Sequence, residues 1–215
     1  MAAPEGRDLY CRERTAWRDG RVLAGVDEVG RGPLAGPVVA VALILPVGRV
    51  WEGLDDSKVV PEGRRLGLYR SLQAAGAQIG VGAAGPQAIE RLNILGATRM
   101  AMLQALGRLP TPPDWILVDA VPLEAGVPVE PLIHGDARSA SIAAASIVAK
   151  VLRDRYMAVL DQVYPGYGLA RHKGYGTLEH RTAIGRLGPT PAHRLSFLHD
   201  GPLPAVGNEG STPLL

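Results

Sequence analysis

The stretch RVLAGVDEVGRGPLAGPVVAVALIL, residues 21–45, constrains the fold more than any other part of the chain. An apolar run at residues 22–26 ends on Asp27 and Glu28, the turn GRGPLAGP follows, and an unbroken β-branched run fills residues 38–45. A continuous apolar run of that length reads as a strand covered on both faces. Two such strands joined by a tight glycine turn form an antiparallel hairpin. Asp27 and Glu28 therefore stand side by side where a buried strand ends, a costly place for charge.

The rest of the chain supplies partners for that hairpin. With 215 residues, 47% of them hydrophobic, there is enough material for one sizeable core, and a single body is expected over residues 21–199. One Phe against 27 Gly means a core packed from small aliphatic side chains. Residues 1–20 read as a polar lead-in, helical around Leu9, Tyr10 and Trp17, and residues 200–215 as a flexible tail. Further strands are expected at residues 78–84 and 115–118, the latter ending on Asp119, with a brief pairing at 132–133. Helices are expected at 62–72, 86–92, 96–106 and 178–187, and a long Ala-rich one runs to about residue 163, capped by Ser139 or Ser141.

Several function classes are excluded. No run approaches the roughly 18 apolar residues of a membrane helix, and the opening MAAPEGRDLYCRERTAW has no apolar export core. Cys11 is alone, so neither an internal disulfide nor a thiolate zinc site can form, which fits a reducing cytoplasm. The turn spacing G-x-G-x-x-x-G is followed by a strand, whereas dinucleotide capture needs a helix N-terminus there. No G-K-[ST] marks a P-loop, no H-x-x-x-H pair marks a zinc site, and no G-x-S-x-G marks a serine hydrolase.

Four acids adjoin the most apolar segments: Asp27, Glu28, Asp119 in WILVD, and Asp136 before the Ala-rich helix. Carboxylates gathered at neighbouring strand ends repel one another, and bound cations offset that repulsion. Oxygen ligands without Cys or clustered His point to Mg²⁺ or Mn²⁺, and two ions about 4 Å apart suit in-line attack on a phosphodiester. Asp136 could instead cap the helix, and Asp119 could be a turn residue. Adjacent strand residues face opposite ways, so the expectation is that the strand breaks at Glu28, whose longer side chain then swings round to the site or whose carbonyl oxygen serves as the ligand.

A net charge of +2 gives no strong whole-protein field, so polyanion binding must come from a local cluster. ARHKGYGTLEHR provides one, with Arg171, His172, Lys173 and Arg181 around Tyr175. Positive groups neutralise phosphates while the ring packs on a sugar or base. Lys58 in DDSK adds a possible phosphate contact, and amides of the turn Gly30-Arg31-Gly32 could hold a sugar and its phosphate. The bland alternatives are a solvated loop for the basic segment, a mere hairpin turn for the glycines and an ordinary exposed lysine for Lys58, and only for Lys58 does the alternative weigh as much as the functional reading.

The ordered motifs GVDEVGRGPLAGPVVA, DDSK, LNIL, ILVD, GDARSASIAAASIVAK, RDR, HKGYGT and HRLSF resemble those of bacterial type 2 ribonucleases H, over about residues 21–197. The resemblance implies an RNase H-like α/β fold, a mixed sheet flanked by helices with a C-terminal helical part. It implies a metal-dependent endonuclease cutting the RNA strand of RNA–DNA hybrids and the 5′ side of ribonucleotides in duplex DNA. Carried over, the catalytic and metal-binding acids fall on Asp27, Glu28, Asp119 and Asp136, with Mn²⁺ or Mg²⁺ as cofactor. The Gly30-Arg31-Gly32 backbone would meet the ribose 2′-hydroxyl, and Tyr175 the ribonucleotide-to-DNA junction. Ala120 departs from the glycine usual after Asp119. The short lead-in favours type 2 over type 3, which carries an additional N-terminal substrate-binding domain. The expected protein is a monomer with nucleic acid as partner and no membrane association. The rivals are a catalytically silent nucleic-acid-binding module and a DNA-only resolvase of the same fold.

Overall fold

The computed structural model describes residues 8–55 and 57–198, so the flexible-tail expectation for 200–215 lies outside the described residues. These form two compact units, residues 8–31 with 37–153 and residues 32–36 with 154–198.

The first unit is built on a mixed sheet of order β3-β2-β1-β4-β5. Strands β1 (Leu23–Val29), β2 (Val38–Ile44) and β3 (Gln78–Ala84) form an antiparallel meander. Strands β4 (Trp115–Asp119) and β5 (Val129–Leu132) run parallel to β1. The expected hairpin is present, and all but the last residue of β2 are buried, as a continuous apolar run requires. Strand β5 begins earlier than expected and includes Pro131, tolerable because it is the sheet's edge.

One expectation is overturned. Strand β1 does not break at Glu28: Asp27, Glu28 and Val29 pair in unbroken register with Val41, Ala40 and Val39 of β2. A break would leave ladder donors and acceptors unpaired, so the pleat persists and the two acids leave opposite faces.

Helices α1 (Cys11–Arg18) and α2 (Glu62–Ala74) pack on one sheet face with the start of α4 (Ala140–Val163). Their core joins Tyr10, Leu72, Val41 and Leu43 to Ala144, Ile147 and Val148. Gly25 of β1 lies directly beneath α4, where an added Cβ would sit 2.2 Å from the Ser141 carbonyl carbon. Helix α3 (Pro86–Leu106) covers the other face, over Gly80 and Gly82, where a Cβ would approach the Ala105 and Ala101 carbonyl oxygens to 2.0 and 1.9 Å. It comprises the two expected helical pieces, joined at Asn93, where φ is 56°. The Asn93 Oδ1 accepts from the Leu95 and Gly96 amides and so caps the second piece.

The second unit contains the rest of α4, α5 (Leu169–His172) and α6 (Leu178–Leu187) around Leu34, Met157, Tyr167, Leu169 and Ile184. Thr177 caps α6 by accepting the His180 amide. Among the described residues no helix is long and apolar enough to cross a membrane.

Candidate functional site

Strands β1 and β4 run parallel with Val26 opposite Val118, so Asp27 and Asp119 follow at neighbouring strand ends. Both share a pleat face with Gly25 and Leu117, the face that α4 covers. Asp136 is buried in a short 3-10 turn, Gly135–Ala137, just before α4. The preceding Gly135 amide donates to Asp119 Oδ1 at 2.8 Å, tying that turn to the end of β4. The sequence thus places three of its four acids around one end of α4, and the fourth, Glu28, on the opposite face of β1.

The electrostatics are unfavourable as they stand. Burial pushes the Asp27 carboxyl well above the usual range, and the negative charges of Glu28 and Asp119 push it the same way. A hydrogen bond from the Ser146 hydroxyl and one from the Glu28 amide, 2.8 Å, oppose the shift. Glu28 is raised as well, chiefly by burial and with Asp119 adding, although Arg31 holds its Oε1 at 3.3 Å. Its other oxygen, Oε2, is buried without a hydrogen-bond partner. Among the described residues, no three His, Cys, Asp or Glu side chains are drawn together as a ready-made metal site. The donor chemistry nonetheless fits a hard divalent cation: oxygen ligands, mutually repelling and incompletely satisfied.

The glycine turn divides into two kinds of position. Gly30 has φ of +94°, and a Cβ there would meet Arg153 Nε at 2.2 Å and the Pro37 carbonyl at 2.8 Å, so only glycine fits. Gly32 has open space on its Cβ side. Arg31 and Lys58 are exposed. Ser146, which the sequence offers only as one more small residue of an Ala-rich helix, is the contact that pattern reading missed. Its hydroxyl bonds Asp27 and lies 3.0 Å from Ser57 Oγ, one residue before Lys58.

In the second unit Tyr175 is 43% exposed, and Lys173 adopts a left-handed φ of 54°. His172 differs from its neighbours by being buried. Its Nε2 bonds the Tyr167 carbonyl at 2.8 Å, and its Nδ1 accepts the Gly174 amide at 3.2 Å, leaving neither nitrogen for a phosphate. Its ring stacks on His180, 4.4 Å between centroids. His180 Nδ1 lies 3.0 Å from the Tyr175 carbonyl and its Nε2 lies 3.1 Å from His193 Nε2. His193 Nδ1 accepts the Thr190 amide at 2.9 Å. These bonds assign one neutral tautomer to each ring: Nε2–H on His172, Nδ1–H on His180, Nε2–H on His193. Burial pushes His180 down to about 4 and lowers His193 as well. The spacing of 172, 180 and 193 carries no local signal for this cluster.

Comparison with known proteins gives a consistent result. A family model described as Ribonuclease HII matches residues 24–199. A protein named Ribonuclease HII from Geobacter sulfurreducens is 53% identical over 185 residues, 86% of this chain and 85% of that protein. Another of that name from Geobacillus kaustophilus is 52% identical over 191 residues, 88% of this chain and 74% of that protein. The crystal structure of the ribonuclease H2 from Pyrococcus horikoshii OT3 aligns with a TM-score of 0.68 at 27% identity, covering 81% of this chain and 92% of that one.

Proposed function

The chain belongs to the ribonuclease HII family, and on that premise we propose that it is a divalent-metal-dependent endonuclease for RNA–DNA hybrids and for ribonucleotides embedded in duplex DNA. It hydrolyses the RNA strand of the hybrid and cuts on the 5′ side of an embedded ribonucleotide, leaving 5′-phosphate and 3′-hydroxyl ends. Its place is ribonucleotide removal from DNA, as a cytoplasmic monomer. The observation that carries this reading is the set of mutually repelling carboxylates at buried Asp27 and part-buried Glu28 and Asp119, with Glu28 Oε2 left unpartnered.

In this reading Asp27, Glu28, Asp119 and Asp136 hold the metal. Bound Mn²⁺ or Mg²⁺, as two ions, supplies positive charge at the scissile phosphate and acidifies water there. Ser146 orients Asp27, and the Gly135 amide orients Asp119. Glu28 reaches the site from the strand end, its Oε1 steadied by Arg31. The Gly30-Arg31-Gly32 backbone takes the ribose 2′-hydroxyl, the group that distinguishes RNA from DNA at one position. Water is the attacking group and the 2′-hydroxyl only a recognition handle, so the products carry no cyclic phosphate. Tyr175 offers a half-exposed ring to sugar or base, and Lys58 and Lys173 neutralise phosphates. His172 supports this segment from within.

A DNA duplex carrying one ribonucleotide tests the reading, incubated with EDTA, Mg²⁺ or Mn²⁺. A single cut 5′ to the ribonucleotide, only with metal, is expected, and Asp27→Asn should abolish it while hybrid binding survives. Equal cutting of an all-DNA duplex identifies a DNA-only resolvase, and binding without cutting in any metal identifies a silent module. Either result overturns the proposal.

A further inference from the structure

A fifth carboxylate is buried more deeply than the four acids. Glu13 of α1 is 1% exposed, against 5% for Asp27 and 8% for Asp136, and it precedes the residues matched by the family model. Its Oε1 accepts two bonds from residues 126 and 128 positions further along the chain, the Ser139 hydroxyl at 2.7 Å and the Ser141 amide at 2.9 Å. Ser139 immediately precedes α4 and Ser141 lies in its first turn.

A helix leaves its first amides without intrahelical acceptors. In α4 the Ala140 amide donates to the Leu9 carbonyl at 2.9 Å, Ser141 to Glu13, Ile142 to Ser139 Oγ at 3.3 Å, and Ala143 to the Ser139 carbonyl at 3.0 Å. Two of these four acceptors come from the segment at residues 9–13. Ser139 is the ordinary N-cap, but its hydroxyl proton is held by Glu13, which fixes its rotamer. The Arg138 and Ser139 amides both donate to the Gly135 carbonyl at 2.9 Å, and the Gly135 amide donates to Asp119. A continuous run of hydrogen bonds therefore leads from Glu13 through Ser139 and Gly135 to Asp119, with Asp136 inside the turn it encloses.

We infer that Glu13 is a positioning residue for the acid site: it locks the 135–139 turn, and through it sets Asp136 and Asp119 relative to each other. This rests on the reading that those two acids bind metal. Without Glu13, the Ser139 hydroxyl and the Ser141 amide lose their acceptor inside the core, and the turn gains freedom. A residue acting behind the ligands shows itself in metal affinity, where loss of such partners typically costs about 10- to 100-fold.

The test measures Mn²⁺ binding by calorimetry without substrate, amide hydrogen exchange at residues 135–142, and thermal unfolding. The proteins are wild type, Glu13→Ala, Glu13→Gln, Ser139→Ala and Asp136→Asn. Glu13→Ala should weaken Mn²⁺ at least about tenfold and speed exchange across 135–142. Glu13→Gln should do less, since its amide oxygen can accept both bonds. Mn²⁺ affinity within about twofold of wild type in Glu13→Ala, despite a lowered Tm, makes Glu13 merely structural and overturns the inference. Should Glu13→Ala not fold, Ser139→Ala decides, and unchanged affinity there overturns it equally. Wild-type Mn²⁺ affinity in Asp136→Asn would instead refute the metal reading of the site, while exchange at 135–142 would still decide whether Glu13 holds the turn.

Discussion

The acid end of the sheet and the histidine cluster of the second unit both bury ionisable groups, and they resolve the cost in opposite ways. His172, His180 and His193 are neutral, and their six ring nitrogens are engaged with carbonyls, amides or each other. Nothing there calls for a ligand. At the sheet end, Asp27 and Glu28 are both raised by burial and like charge, and one Glu28 oxygen has no partner. A polar network that closes on itself holds a segment in place, whereas an unpartnered carboxylate oxygen among like charges gives a cation a place to bind.

The largest expected difference between the two regions is in catalysis. Asp27→Asn should lower cleavage of a hybrid by about 10³-fold or more and leave Tm unchanged or raised, because it removes like-charge repulsion. A fallen Tm with retained cleavage would mean that the sheet end is a closed structural network after all. His180→Ala should do the reverse, costing about 3 kcal/mol of stability in urea melts, with the loss of cleavage following the unfolded fraction. Next in size, Mn²⁺ at about 100 times its Kd should add about 2.7 kcal/mol of stability. That gain should vanish in Asp27→Asn and persist in His180→Asn, which keeps a donor for the Tyr175 carbonyl.

The smallest effect separates the regions by sign. His180 titrates near 4 when folded and near 6.5 when unfolded, so the unfolded chain binds more protons between those values. Its contribution is present above pH 6.5 and lost as pH falls toward 4. Asp27 is raised above 3.8, so the folded state holds the extra proton and that region gains stability as pH falls. The His180 term should amount to about 2 kcal/mol in metal-free melts between pH 4 and 7, and the Asp27 term should run in the opposite direction. Asp27→Asn should steepen the acid loss and His180→Asn should flatten it. Identical profiles for the two variants would erase the distinction.

Local pattern made much of this legible. Apolar runs closing on Asp27 and Asp119, the hairpin around the glycine turn, and the Ser139 cap are all short-range signals, and the structure has each of them. The continued pleat at Glu28 was not legible, because where β1 stops is decided by Ala40 and Val39 across the hairpin rather than by its own residues. Glu13 reads as one more charge in a polar lead-in, and only its meeting with Ser139 and Ser141 gives it a role. The histidine cluster escapes for the same reason: its members come together only by tertiary packing.

Gly25 carries a consequence for how the acid end can move. Because α4 rests on β1 backbone to backbone at that point, no side chain lies between them to act as a cushion. Thermal fluctuation cannot slide one past the other without a hard steric collision. Strand and helix therefore move as a welded joint two residues from Asp27, so the spacing of the carboxylates is held by main-chain contact and survives changes in the softer packing around it.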